Sequence, residues 1–128
     1  MKRWFLAPVK PWVRKGIGGV ILIGLTAGLL GHATLLSTVP PANSQLEQAP
    51  PRVELHFNEG IEEIFNGVSV LNRNGLPVHS GQAALSRNRQ ELSVALKDNI
   101  PSGIYTVSWR ATSSDGHQIG GNFGFSVG

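Results

Sequence analysis

The sequence predicts an all-β domain, a sandwich or barrel of about seven strands, and two observations carry that reading. Beyond residue 34, apolar side chains recur at every second position in short runs, the period of a strand with one buried face. Gly, Pro and Asn punctuate those runs, and no stretch keeps a convincing 3.6-residue repeat; only 59–65 offers a single helical turn.

The chain opens on a segment that lies outside that domain. Five basic residues (Lys2, Arg3, Lys10, Arg14, Lys15) precede an uncharged run over 16–30 that contains five glycines. A basic stretch followed by about 7–15 apolar residues is the pattern of a secretory signal. The run falls short of the roughly 20 apolar residues that a membrane-spanning helix needs. A cleaved signal peptide over 1–31 is expected, with an uncleaved N-terminal anchor helix as the alternative. Either one exports 32–128 as a single domain. Two cleavage points fit the small-residue rule to different degrees. Cleavage after Ala33 places Ala33 and Gly31 at −1 and −3, whereas cleavage after Gly31 places Leu29 at −3 and fits less well.

From residue 32 onward six basic residues face eight acidic ones, a net of −2, although the whole chain carries +3. A slightly acidic domain lacks the clustered basic face that nucleic-acid binding needs. The absence of cysteine excludes disulfides, zinc ribbons and thiol catalysis. The one methionine is Met1.

The strands follow in order. Residues 34–52 hold Pro40-Pro41 and Pro50-Pro51 and read as an edge strand followed by a stiff extended connection. Val53, Leu55 and Phe57 alternate with polar neighbours. Val68–Leu71 follows Asn66-Gly67, and Asn74-Gly75 marks a tight turn of the hairpin kind. Leu92, Val94 and Leu96 alternate next, then Tyr105, Val107, Trp109 and Ala111, and finally Phe123, Phe125 and Val127. The inward aromatics Phe57, Tyr105, Trp109, Phe123 and Phe125 are the expected core, each able to bury about 150–250 Å².

Four histidines are present: His32, His56, His79 and His117. Taken singly, each reads as a surface or capped residue, and Asp115-Gly116-His117 reads as a polar turn between the last two strands. Taken together they make a metal centre. Side chains two apart on an extended segment share a side, so Asp115 and His117 present a carboxylate and an imidazole together. His32 adds two more nitrogens, its α-amine and its imidazole, if processing makes it the first residue. A free α-amine, with a pKa of about 7.7–8.0, yields its proton to a metal at neutral pH. Three nitrogens and one carboxylate suit tetragonal Cu(II).

Four stretches carry a resemblance over essentially all of 32–127: His32-Ala-Thr-Leu-Leu-Ser-Thr-Val-Pro-Pro-Ala-Asn, Val53-Glu-Leu-His-Phe-Asn-Glu59, Gly103-Ile-Tyr-Thr-Val-Ser-Trp-Arg-Ala-Thr-Ser-Ser-Asp-Gly-His117, and Gly121-Asn-Phe-Gly-Phe-Ser-Val. In this order they resemble the copper-resistance protein C (CopC) family. The resemblance implies a Greek-key, immunoglobulin-like β-sandwich in the periplasm that binds one Cu(II) per chain. It implies His32 as the mature N-terminus, which favours cleavage after Gly31, with His32, Asp115 and His117 as metal ligands. Glu59 matches a family acid placed near the copper, and His56 matches a further family position; both are expected to support the ligands without binding the metal. His79 has no matching role and reads as surface. The methionine-rich Cu(I) loop of some members is not expected here, since Met1 leaves with the leader. No apolar run after residue 32 is long enough to span a membrane, so neither a membrane segment after cleavage nor a fused transport domain is expected. The implied partners are the copper ion and an inner-membrane copper transporter, and the implied state is a monomer without enzymatic activity.

Two readings from other classes stand beside this one. An N-terminal histidine with a second histidine is also the centre of the lytic polysaccharide monooxygenases, which need an open coordination position and a flat, often aromatic surface. A metal-free sandwich that binds another protein predicts no tight copper at all.

Overall fold

The computed structural model describes residues 32–128. The leader helix expected over 1–31 lies outside the described residues. Two four-stranded sheets face one another. The strands are β1 (Leu35–Val39), β2 (Ser44–Leu46), β3 (Arg52–Phe57), β4 (Gly67–Leu71), β5 (His79–Leu85), β6 (Glu91–Leu96), β7 (Gly103–Thr112) and β8 (Gln118–Val127). One sheet runs β1-β3-β6-β5 and the other β2-β8-β7-β4. Only β5–β6 and β7–β8 are neighbours in both sequence and sheet; the other connections cross between the layers, as in immunoglobulin-like sandwiches.

The alternation read from the sequence becomes the core. Val53, Leu55 and Phe57 of β3 meet Leu92, Val94 and Leu96 of β6 within one sheet. Across the interior lie Val68 and Val70 of β4, Tyr105 and Val107 of β7, and Phe125 and Val127 of β8. Tyr105 stacks on Phe125 with ring centroids 5.5 Å apart, and its hydroxyl donates to the Pro101 carbonyl. Phe57 meets the edge of Trp109 at 5.6 Å. Trp109 and Phe123 are half-buried and pack against the edge of this core rather than being enclosed by it.

Three expectations change. The domain has eight strands where about seven were read. The strands not read individually are those with little alternation: three-residue β2, paired in parallel with β8, and edge strand β5, whose Gly81 at φ +78° accompanies a break in register. Residues 59–65 form no helical turn. Ile61 is fully buried and its backbone bridges Ser113, while Ile61 N–H donates to Arg89 O and Glu62 N–H to Thr112 O. Those bonds to neighbouring chain replace the local bonds that a helical turn would make. His79 is half-buried rather than a free surface residue. Its Nδ1 accepts the Val70 N–H at 3.0 Å, satisfying a backbone donor of β4.

β7 and β8 pair over ten residues each, from Gly103↔Val127 to Thr112↔Gln118. That ladder carries the closing loop to one end of the sandwich. It requires glycine at 120, where a Cβ would stand 2.7 Å from the Trp109 carbonyl oxygen. β1 starts and β3 finishes at the same end, through Leu35↔Phe57.

Leu92 is fully buried opposite Leu55, whereas Leu36 is 55% exposed. Leu92→Ala is expected to cost about 2–5 kcal/mol of unfolding free energy in urea titrations, and Leu36→Ala no more than about 0.5 kcal/mol.

Candidate metal centre

The loop between β7 and β8 builds half of the centre. Gly116 N–H donates to Ser113 O at 2.9 Å and Ser113 N–H to His117 O at 2.8 Å, with Gly116 at φ +91°. This is the pattern of a three-residue hairpin loop that ends on a left-handed glycine. Asp115 and His117 do share a side, as the sequence implied, but they do so across this turn and not along an extended strand. The turn is closed from within. Ser113, fully buried, donates its hydroxyl to Asp115 Oδ1, and the same oxygen accepts the His117 N–H at 3.2 Å. An Asp bonding the backbone two residues on is a standard way to fix such a turn.

His32 arrives from the other sheet. Its neighbour Ala33 is 4% exposed and belongs to the core. Next comes Thr34, whose N–H donates to Asn58 Oδ1 at 2.6 Å and whose carbonyl accepts the Asn58 N–H at 3.0 Å. Asn58, just past β3, therefore grips the segment on both of its polar groups.

The three side chains meet. His32 Nε2 lies 3.2 Å from Asp115 Oδ2, and His117 Nδ1 lies 3.1 Å from the same oxygen. The imidazole centroids are 4.1 Å apart with planes tilted by 45°. One donor atom from each of His32, Asp115 and His117 falls within 4.8 Å of the others. Adjacent donors on a metal bound at about 2.0–2.1 Å stand about 3 Å apart, so these spacings fit one ion. The His32 and Asp115 side chains are 25% and 30% exposed and that of His117 is 63% exposed, so the cluster opens to solvent on the His117 side.

The Asp115 carboxyl is held down to about 2, against an ordinary value of 3.8. The Ser113 hydroxyl is the main cause. Partial desolvation opposes it, and the His117 N–H and ring and the His32 charge reinforce it. Asp115 is therefore a carboxylate at any physiological pH, with Oδ2 still available beside both imidazoles.

Which nitrogen of His32 faces the cluster matters chemically. A six-membered chelate with the residue's own α-amine closes only through Nδ1, whereas Nε2 is the atom turned to Asp115 here. In the full-length chain that amine is bonded to Gly31.

Of the two supporting residues read from the sequence, His56 keeps other company. Its Nε2 is 3.1 Å from Glu54 Oε1 and its Nδ1 3.9 Å from Glu91 Oε1, on the outer face of the β1-β3-β6-β5 sheet. Glu59 follows Asn58 in the loop and, among the described residues, makes no side-chain hydrogen bond or ion pair. Sequence reading missed Ser113 and Asn58. The signal for Ser113 was present in Ser113-x-Asp115-Gly116, a turn motif with a hydroxyl at its start. Nothing local marked Asn58, whose partner is 24 residues away.

Residues 35–128 match the CopC domain family. Copper transport protein CutJ of Bacillus subtilis (strain 168) is 36% identical over 110 residues, 85% of this chain but 20% of CutJ, so the chain spans about a fifth of that relative's length. Copper resistance protein C of Escherichia coli is 31% identical over 116 residues, covering 85% of this chain and 91% of that protein. The crystal structure of CopC from Methylosinus trichosporium OB3b aligns with a TM-score of 0.68 at 30% identity, over 75% of this chain and 93% of that one.

The depressed Asp115 value sets a sign. A group whose folded pKa lies below its unfolded one stabilises the fold above the unfolded value, and this is lost as pH falls through the folded value. For Asp115 the window runs from 3.8 down to about 2. The melting temperature of the metal-free wild type is expected to fall more steeply across that window than that of Asp115→Asn. Equal slopes in pH-resolved thermal melts would contradict the bonding described for Asp115.

Proposed function

The chain belongs to the CopC family, and from that premise and the cluster at the end of the sandwich we propose that it is an exported, periplasmic Cu(II)-binding protein that sequesters copper or delivers it. One Cu(II) is held per chain by the His32 α-amine and imidazole, Asp115 Oδ2 and His117 Nδ1. The observation that carries this reading is the convergence of His32, Asp115 and His117 from opposite sheets onto one carboxylate oxygen. Two imidazoles, an amine and one carboxylate are a donor set that Cu(II) accepts in tetragonal geometry. The copper named in CutJ and in copper resistance protein C supports the choice of ion.

The mature chain starts at His32. Burial of Ala33 supports cleavage after Gly31 over cleavage after Ala33, because the latter removes both a core residue and a ligand. The domain boundaries are then 1–31 for the leader and 32–128 for the copper-binding sandwich. Glu59, in the loop beside Asn58, supports the centre by accepting a hydrogen bond from the amine or a ligand.

The protein is not an enzyme on this reading. Asp115 fills the position that a copper oxidase leaves open for oxygen, and Phe57, Tyr105 and Phe125 face the core instead of forming a flat platform. The ion is cargo. Its receiver is a membrane copper transporter, a role supported by CutJ, in which the matching region is 20% of a copper transport protein. The protein acts as a monomer.

Two experiments test the centre. Adding one glycine before His32 turns the amine into an amide, and Cu(II) affinity by competition titration is expected to fall by orders of magnitude; unchanged affinity rules out the amine chelate. Asn58→Ala releases Thr34 without touching a ligand, and a loss of about 10–100-fold in affinity is expected. Its Cu(II) spectrum at saturation should keep the wild-type donor set.

A further inference from the structure

A second group of donors stands on the outer face of the β1-β3-β6-β5 sheet, with no residue in common with the first. Glu54 and His56 lie two apart on β3 and so share a face, and Glu91 of β6 stands directly opposite His56 in the ladder. β3 is an interior strand, paired with β1 on one side and β6 on the other, so these donors are placed by a sheet and not by a loop. His56 has a carboxylate beside each ring nitrogen: Glu54 Oε1 at 3.1 Å from Nε2 and Glu91 Oε1 at 3.9 Å from Nδ1. One donor atom from each of the three residues falls within 4.8 Å of the others.

Arg52 orients the group. Its Nε and Nη2 both donate to Glu54 Oε2 at 2.6 Å, which fixes that carboxylate and leaves Oε1 turned toward His56. A partner on the distal oxygen of a ligating carboxylate is what metal sites use to hold their ligands. Arg52 is 3.9 Å from Glu91 Oε2, too far for a hydrogen bond, so Glu91 keeps its own lone pairs. Two carboxylates against one guanidinium leave a local charge of about −1. Burial works against ionising Glu54, yet the bonds from His56 and Arg52 and their charges outweigh it and lower its pKa. Beside His56 and Glu91 opens a cavity of about 670 Å³ that Leu36, Phe57, Ser86 and Gln90 also line, with room for water on the remaining coordination positions.

We propose that Glu54, His56 and Glu91 form a second, solvent-accessible site for a divalent transition ion of the Zn(II) class. The imidazole supplies one nitrogen and the glutamates two oxygens, a mixed set that Zn(II) accepts with a water at the fourth position. One ring nitrogen binds the ion, and the other keeps its proton. The site stands independently of the copper centre proposed above, since the two share no ligand.

The test removes the first centre from the comparison. In the full-length protein carrying Asp115→Ala and His117→Ala, zinc alone is titrated by calorimetry while the imidazole resonances are followed by NMR. One equivalent of zinc is expected to bind, with the His56 ring signals shifting to saturation. Adding Glu91→Gln, nearly isosteric and half-exposed, should weaken binding about tenfold or more without changing the melting temperature of the zinc-free protein. His56→Ala should abolish the saturable component. No saturable binding in the double variant, or binding that Glu91→Gln leaves unchanged, overturns the site and leaves the three residues as an ion-pair group with Arg52.

Discussion

The candidate centre depends on how the Asp115 carboxylate is divided. Oδ1 belongs to the protein: the buried Ser113 hydroxyl and the His117 amide both donate to it. Oδ2 belongs to the cluster, 3.2 Å from His32 and 3.1 Å from His117. A carboxylate free to rotate would have to give up rotamer freedom before serving as a ligand. This one has already done so, because the turn that holds it is the turn that closes β7 onto β8. Ligand geometry and hairpin closure are therefore one feature. A change at Ser113 or Gly116 reaches the donors although neither residue is a donor.

The other half of the centre is made differently. His32 is held through its chain neighbours, by Ala33 in the core and by Asn58 on Thr34. A terminal segment is ordinarily the least ordered part of a domain. Here two residues next to His32 are tied down by packing and by a pair of hydrogen bonds to Asn58, which would reduce the entropy His32 loses on engaging an ion. The sandwich thus brings together a closed loop from one sheet and a pinned segment from the other. Neither sheet alone holds more than two of the three side chains.

Much of this was legible in the chain. Alternation at Val53-Leu55-Phe57, Leu92-Val94-Leu96 and Tyr105-Val107 marked the strands whose faces differ most, and those strands became the core. β2 and β5 escaped because edge strands with half-exposed or small residues carry little contrast between their faces. The proposed donors His32, Asp115 and His117 could be named from the Asp-Gly-His spacing and the chelate that an N-terminal histidine offers, together with the family resemblance. The supporting residues could not be assigned so easily. His56 sits on the strand face turned outward, and only cross-strand register, which pairs it with Glu91, reveals its neighbours. His79 looked idle because its acceptor role depends on a β4 amide nine residues earlier. Long-range pairings of this kind leave no periodic trace in the sequence.

The burial of Ala33 bears on the order of events in the cell. A peptidase acts on a strand laid open across its cleft for several residues on both sides of the scissile bond. Once the sandwich has closed, the residue after His32 is sealed in and the next is clasped at both backbone groups. For a chain trimmed just ahead of His32, as proposed above, the cut is therefore easier before the sandwich closes than after it.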